Sequence, residues 1–352
     1  MNINSSATGP DASPLSHHGA LWGLLGVAAF SFTIPLTRVA VGGLDPVFIG
    51  SGRAVVAAIL AALALLLGGA RLPTPREWLG LIPVALGVVA GFPILTSIAM
   101  QHTDAGHAAV VIGLLPAATA VVAVWLAGER PSRRFWLGAS AGVVATVGFT
   151  VAAHGWIGSI SASDLCLFGA VGLGAIGYAQ GGLMSRRLGA WQTISWALVL
   201  AAPAMTAVSI WRVVEVPPHA TTTQWAAFGY LSAVSMFLGF FAWYRGLAIG
   251  PIASVSQVQL VQPILSVLWS VLLLGERLTP AIVVGGLVVI ASAAFTVRSR
   301  VAAPRAGSRS QPGSVDQPGS VELNPGLRAA EDLAVPLLGD DRDHTLPRLR
   351  IE

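Results

Sequence analysis

The chain is dominated by apolar segments, each about as long as a lipid bilayer is thick. From Gly19 to Arg298, 280 residues run through such segments with short polar connections between them. A helix of about 20 apolar residues crosses the hydrocarbon core, because it pairs its own backbone polar groups there. The pattern predicts an all-α polytopic membrane protein with ten transmembrane helices. Their predicted ranges are 19–39, 46–68, 77–99, 104–126, 132–152, 163–184, 190–211, 223–244, 251–274 and 280–298.

The composition excludes several classes of protein. Only 10% of the residues are charged, whereas soluble domains carry about 25%, so a soluble enzyme is not expected. Every basic residue is an arginine, which excludes a phosphate-binding loop with its lysine and Schiff-base chemistry. The arginines are scattered, which argues against nucleic acid as a partner. The single cysteine, Cys166, has no His or Cys at metal-ligand spacing, so neither a metal nor a cofactor is predicted.

The two ends of the chain differ from the apolar body. Residues 1–18 are polar and contain no basic residue, so they lack the positive start of a cleavable signal peptide, and we expect a disordered leader. Residues 301–352 are rich in Pro, Gly, Ser, Arg and Asp. Such a segment buries too little apolar area to fold. A disordered tail is therefore predicted.

The placement of arginine predicts the orientation. If the N-terminus lies inside, the inside loops and the first residues of the C-terminal tail together contain twelve arginines. Three, Arg38, Arg212 and Arg277, fall on the outside. Because cytoplasmic loops carry the excess of basic residues, both termini are predicted to be cytoplasmic, which requires an even number of spans.

The chain also repeats itself at a constant offset. The pairs separated by 147 residues are Trp78 with Trp225, Pro116 with Pro263, Gly138 with Gly285, and Gly128-Glu129-Arg130 with Gly275-Glu276-Arg277. One unit covers residues 19–152 and the other 163–298, and each contains five predicted spans. Because five is odd, the second unit enters the membrane from the opposite side, as in the inverted repeats of secondary transporters.

These features resemble the EamA type of the drug/metabolite transporter superfamily. The resemblance rests on two five-span repeats, each with a Pro-bearing fourth span that closes on Leu-x-Gly-Glu-Arg, at 126–130 and 273–277. It covers about residues 19–298. It implies a secondary carrier of the inner (plasma) membrane, commonly an exporter of amino acids or other small metabolites, with a central cavity between the repeats. Small-molecule substrate and membrane lipid are the implied partners, and the oligomeric state, a homodimer included, stays open.

Polar and aromatic side chains within the predicted spans are the candidate substrate contacts. Gln259 and Gln262 share a helix face just before Pro263, whose missing N–H leaves a backbone carbonyl free. Hydrogen bonding between helices is the alternative role for these amides. The candidates for the cavity lining are Thr33, Tyr178, Trp243, Gln259 and Gln262.

Arg53 is an ionisable residue predicted to lie within the membrane, about two turns into the second span. It either snorkels to the outer headgroups, holds a substrate carboxylate or steadies the outer mouth. No carboxylate is predicted at mid-membrane, so a buried Asp or Glu is not available as a proton carrier. His107, early in the fourth span, either titrates near neutral pH or hydrogen-bonds a neighbour.

The two Gly-Glu-Arg triplets end the fourth and ninth predicted spans. Glycine terminates a helix readily, and charges at a helix end reach water. Glu129, Arg130, Glu276 and Arg277 therefore have a helix-end role or, alternatively, form a gate latch. Pairs of glycines four apart, such as Gly19 with Gly23 and Gly87 with Gly91, are predicted to allow close helix packing.

Two other classes of function were weighed against a carrier. An intramembrane protease needs mid-span Asp residues or a His-Glu-x-x-His motif, and the sequence contains neither. A sensor or scaffold would signal through the tail after Val301. Deletion of residues 302–352 separates a carrier from a sensor, because a carrier keeps transport without its tail.

Overall fold

The computed structural model describes residues 14–128 and 161–277, together with isolated positions within 130–144, 280–291 and 301–302. This part of the chain contains eight helices long and apolar enough to cross a membrane. We label them α1 (His18–Ala40), α2 (Pro46–Leu67), α3 (Pro75–Ala99), α4 (Ala105–Ala127), α5 (Ala162–Leu188), α6 (Ala190–Glu215), α7 (Thr222–Ile249) and α8 (Gln257–Leu274). The prediction of an all-helical membrane protein is confirmed.

The other details of the prediction fall into two groups. The eight helices match eight predicted spans, with ends that differ by up to six residues. About two thirds of each of the predicted spans at 132–152 and 280–298, and all of the tail but residues 301–302, lie outside the described residues. The first helix begins at Pro14, so residues 14–18 of the predicted disordered leader are helical. Proline favours the first turn of a helix, because its fixed φ suits that position and its missing N–H has no partner there in any case.

Most of the helices are locally interrupted. Only α2, α5 and α6 are continuous α-helix. The segments of α1 are Pro14–Ser31 and Thr33–Ala40, those of α3 are Pro75–Val84, the π-helix Ala85–Gly91 and Phe92–Ala99, and those of α4 are Ala105–Ile112 and Leu115–Ala127. The segments of α7 are Thr222–Tyr230, the π-helix Leu231–Leu238 and Gly239–Ile249. Helix α8 consists of the 3₁₀ turn Gln257–Leu260 and the α-helix Val261–Leu274, and the short helix Ile252–Ser256 precedes it. Two-residue strands, Arg130–Pro131 and Val301–Ala302, pair antiparallel.

Local backbone geometry recurs at the offset seen in the sequence. Capping boxes begin α3 at Thr74 and α7 at Thr221, 147 residues apart. The π-helices of α3 and α7 begin 146 residues apart and end 147 apart. Gly128 and Gly275 end α4 and α8 with φ of 65° and 66°, a left-handed conformation that glycine adopts without steric cost. The two halves thus share local structure as well as sequence.

Two pairs of helices approach closely at glycines. Helix α1 packs along the last segment of α7, and α3 packs along α5. A Cβ at Gly246 would lie 2.8 Å from the carbonyl oxygen of Gly19 and 2.9 Å from the backbone nitrogen of Gly23. A Cβ at Gly87 would lie 2.9 Å from the backbone nitrogen of Gly177. The predicted packing role of these glycine pairs is confirmed.

An ion pair ties the start of α2 to the end of α6, two helices that pack along each other. The Asp45 carboxylate caps α2 by accepting from the Phe48 amide, and Arg212 donates to it through Nε and Nη2 at 3.0 and 2.5 Å. Burial raises the pKa of Asp45, but the hydrogen bonds from Arg212 and Phe48 together lower this pKa by more than burial raises it. The net pKa lies below the ordinary value, so this carboxylate is charged at neutral pH.

We expect Gly87→Ala to lower the thermal unfolding temperature of the purified protein. The new methyl group would clash with the Leu173 carbonyl oxygen and Gly177, and overpacking of this kind costs about 1–3 kcal/mol. Gly172→Ala is the matched control on α5, because no described atom lies within 4 Å of that Cβ position. Equal unfolding temperatures for the two variants would contradict the close packing of α3 on α5.

Candidate functional site

A small cavity lies where six helices meet, and a buried arginine lines it. Arg53 on α2 is only 3% exposed. Among the residues that the structure describes, none accepts a hydrogen bond from its Nε or Nη1. The cavity offers about 20 Å³ of free space, room for about one water molecule. The residues lining this Arg53 cavity are Phe30, Thr33, Arg53, Val88, Phe92, Tyr178, Ser235, Phe240 and Gln262.

Aromatic rings form one side of the cavity and extend behind it. Phe30 and Phe240 have ring centroids 4.9 Å apart, and Tyr178 and Phe240 are 6.0 Å apart. Trp243 packs behind them, 5.2 Å from Tyr178, and is fully buried. We call these four residues the aromatic cage. The indole Nε1 of Trp243 has no hydrogen-bond acceptor among the described residues.

Two glutamines of α8 link the cavity to the neighbouring helices. Gln259 Nε2 donates to Gln262 Oε1 at 3.1 Å and approaches the Tyr178 hydroxyl at 3.5 Å. Gln262 Nε2 lies 3.5 Å from the carbonyl oxygen of Phe30. The Oε1 atom of Gln259 is buried and has no described donor. These amides therefore bridge helices, and Gln262 lines the cavity at the same time.

A wide depression opens on the face that bears Arg38. It encloses about 640 Å³ and is lined by Arg38, Val41, Gly42, Gln101, His102, Asp104, Leu274 and Glu276. A narrow pocket lies deeper, lined by Ile34, Ala109, Ile112, Gln259, Gln262, Pro263 and Ser266. Gln262 borders both this pocket and the Arg53 cavity. Because a helix rises about 1.5 Å per residue, the order Arg38, Ile34, Thr33 and Phe30 along α1 places the three spaces one below the other.

Glu276 joins the two halves of the chain at the Arg38 face. Its carboxylate accepts hydrogen bonds from the backbone amides of Ala105 and Gly106, at 2.9 and 3.0 Å. These amides open α4, where the first N–H groups of a helix lack partners within the helix and the helix dipole favours a negative charge. We call this contact the Glu276 cap.

A histidine and an aspartate form a second buried pair near this face. His107 Nε2 lies 2.8 Å from the Asp164 carboxylate, and the side chains are 7% and 0% exposed. Asp164 also accepts from the backbone amide and hydroxyl of Ser161, in the capping box of α5. Of the two predicted roles of His107, the hydrogen bond to a neighbour is the one observed.

The structure gathers most of the predicted cavity residues in one place. Thr33, Arg53, Tyr178 and Gln262 line the Arg53 cavity, and Trp243 packs behind it. Gln259 lines the adjoining pocket. Because Arg53 is buried between helices, its predicted snorkelling to the headgroups does not occur in this conformation.

The helix-end candidates are only partly described. Glu129 lies outside the described residues, Arg130 belongs by its backbone to a two-residue strand, and Arg277 is exposed.

Sequence reasoning missed some of the cavity residues. Ser235 lies 2.8 Å from Thr33, oxygen to oxygen, although the two residues are 202 positions apart. Phe30, Phe92 and Phe240 looked like ordinary apolar residues of a membrane helix. The sequence did contain a signal for the burial of Arg53. The small residues Gly50, Ser51 and Gly52 precede it and allow a neighbouring helix to approach closely.

Comparison with known proteins gives three findings. A family model described as EamA-like transporter family matches residues 17–151 and 161–298. The chain is 42% identical over 281 residues to "Uncharacterized transporter YdeK" of Bacillus subtilis (strain 168). The matched region covers 78% of this chain and 94% of that protein. A crystal structure superposes with a TM-score of 0.59 at 19% identity, covering 80% of this chain and 98% of the other. At that identity the structural likeness shows the fold alone.

We expect Glu276→Gln to loosen the start of α4. A neutral amide offers one acceptor oxygen without charge where the carboxylate offers two, and a charge-assisted bond is about twice as strong as a neutral one. Hydrogen exchange followed by mass spectrometry would then show about three- to tenfold faster exchange in peptides covering residues 104–112. Glu215→Gln, which removes a half-exposed carboxylate outside this contact, is the control. Unchanged exchange in Glu276→Gln would show that the Glu276 cap does not hold these helices together.

Proposed function

The chain belongs to the EamA-like transporter family, and on this premise we propose that it is a secondary transporter of the inner (plasma) membrane that exports amino acids or related small metabolites by alternating access. Family membership supports a transporter rather than an enzyme. The choice of an exporter rests on the family resemblance, and the choice of alternating access rests on the arguments that follow.

The observation that carries the proposal is the position of the Arg53 cavity. Helices α1, α2 and α3 of the first repeat and α5, α7 and α8 of the second all contribute side chains to it. A site built by both repeats changes shape when one repeat rocks against the other. With room for about one water molecule, the cavity must widen before a metabolite enters. That requirement favours a carrier over an open pore.

The Glu276 cap supports the inverted arrangement that alternating access uses. Glu276 follows the C-terminal end of α8, and it binds the N-terminal end of α4. The two helices therefore run in opposite directions at this contact. Because α4 and α8 are equivalents at the 147-residue offset, opposite directions are what an inverted pair requires. The same offset relates Glu276 to Glu129. We therefore propose that each glutamate forms part of a gate, one on each face of the membrane.

The proposed orientation places the wide depression on the outer face. The loops on the opposite side carry the excess of arginine, which favours the cytoplasm for that side. In this orientation a solute leaves the Arg53 cavity through the narrow pocket at Ile34 and then through the depression at Arg38. Both termini are then cytoplasmic.

The function is tested by untargeted mass spectrometry of spent medium and cytosol. Cells that overproduce the protein are compared with cells that lack it, and we expect at least one solute to rise in the medium and fall in the cytosol. A chain truncated after Val301 is the matched control, because a carrier keeps this effect without its tail. No shift of any solute, with the protein folded in the membrane, would contradict transport. Loss of the effect on truncation would favour a sensor that signals through the tail.

We expect the double variant Gln259→Ala and Gln262→Ala to bind the transported solute at least about fivefold more weakly. It removes the amides that line the pocket and bridge to Tyr178, and a lost hydrogen bond costs about 0.5–1.5 kcal/mol. Transport kinetics in well-expressed protein would measure the change. Ser270→Ala, on the same helix, is the control, because the Ser270 hydroxyl donates to the carbonyl oxygen of Ser266 on its own helix. Unchanged affinity and turnover in the double variant would remove both glutamines from the site.

A further inference from the structure

The charge of Arg53 lacks a counter-charge in the cavity that it lines. No Asp or Glu is among the described residues around this space. The guanidinium is 3% exposed, and its Nε and Nη1 lack described acceptors. A charge within the membrane is energetically costly even on the scale derived from insertion. A side chain held in this state is a site for an anion that arrives from elsewhere.

Building on the proposed function, and narrowing its substrates from amino acids to related small metabolites, we infer that the substrate is an organic monocarboxylate with an apolar or aromatic body. The planar guanidinium matches a carboxylate with two parallel hydrogen bonds. One arginine neutralises one negative charge. A doubly charged phosphate would leave a negative charge in a cavity whose described lining holds no second cation.

The other residues that line the cavity suit the body of such an acid once the cavity has widened. The aromatic residues Phe30, Tyr178 and Phe240 line this space, and apolar groups bind favourably to such surfaces. The hydroxyls of Thr33 and Ser235 and the amide of Gln262 supply neutral polar contacts.

The same lining argues against a second, positive charge on the substrate. An ammonium group needs an anionic partner once it is removed from water, and the described lining offers none. The Oε1 atom of Gln259 in the adjoining pocket is an unpaired acceptor, which suits a neutral hydroxyl donor. A 2-hydroxy acid therefore fits better than the corresponding amino acid.

The inference is tested by binding to the purified full-length protein, followed through its tryptophan fluorescence. The probes share one aromatic body: 3-phenyllactate, 3-phenylpropanoate, phenylalanine, phenylalaninamide and 2-phenylethylamine, with inorganic phosphate as a further probe. We expect the two monocarboxylates to bind at least about tenfold more tightly than the other four. Equal or tighter binding of phenylalanine, the amide, the amine or phosphate would overturn the inference. So would the absence of binding by both monocarboxylates in a preparation that unfolds cooperatively.

Variants of Arg53 test the contact itself. Arg53→Gln removes the charge and is expected to weaken 3-phenyllactate binding about 10- to 100-fold. Arg53→Lys keeps the charge without the planar fork and is expected to fall in between. Arg187→Gln, at the exposed end of α5, is the control for loss of one positive charge. Wild-type affinity in Arg53→Gln would overturn the inference, and if this variant does not fold, the comparison of probes on the wild-type protein still decides it.

The outcomes separate this inference from the proposed function. Export of a cationic or neutral solute in the comparison of media would retain the transporter and reject the monocarboxylate. Failure of every solute to move would reject the transporter, whatever binds at Arg53.

Discussion

The hydrocarbon core offers no water to pair with polar groups, and the structure follows from this constraint. Each backbone segment within the membrane must satisfy its own hydrogen bonds, so helices are the form available to the apolar segments. Where proline or a π-helix interrupts them, other groups take over. Pro35 on α1, for example, has no N–H to offer the carbonyl oxygen of Ser31, which instead accepts a hydrogen bond from the Ser266 hydroxyl of α8 at 2.7 Å. Irregular backbone is thus concentrated where helices face each other.

The same constraint separates the paired carboxylates from the arginine of the cavity. Asp45, Asp164 and Glu276 are carboxylates at helix starts or helix ends, and each accepts at least two hydrogen bonds from described partners. Arg53 differs from them, because its Nε and Nη1 lack described acceptors within the membrane. A polar group that the fold leaves unpaired at such a cost has a use that the packing does not explain. For this reason the substrate proposal rests on Arg53 rather than on the more numerous aromatic side chains.

The sequence predicted the spans well and the site only in part. Length and apolarity fix a membrane helix, and the capping residues Thr74 and Thr221 locate two of the starts to within a few residues. Which face of a helix points inward depends on its neighbours, so the depth of Arg53 alone allowed either snorkelling or burial. The contacts between Thr33 and Ser235 and between His107 and Asp164 join residues that are distant in the chain. No local pattern in one sequence encodes such pairs.

The two repeats retain their scaffold and diverge at the cavity. Both keep the capping boxes, the π-helices and the left-handed glycines at equivalent positions. At the offset of 147, however, Ile112 and Leu115 stand in the first repeat where Gln259 and Gln262 stand in the second. In the proposed alternating-access mechanism, equal backbones allow the two repeats to exchange shapes as the carrier turns from one face to the other. Unequal side chains would let the proposed site bind its solute in one orientation, because the second repeat alone supplies an amide, Gln262, at this position of the Arg53 cavity. A nearly symmetric scaffold with an asymmetric lining therefore separates the movement of the carrier from the recognition of its substrate.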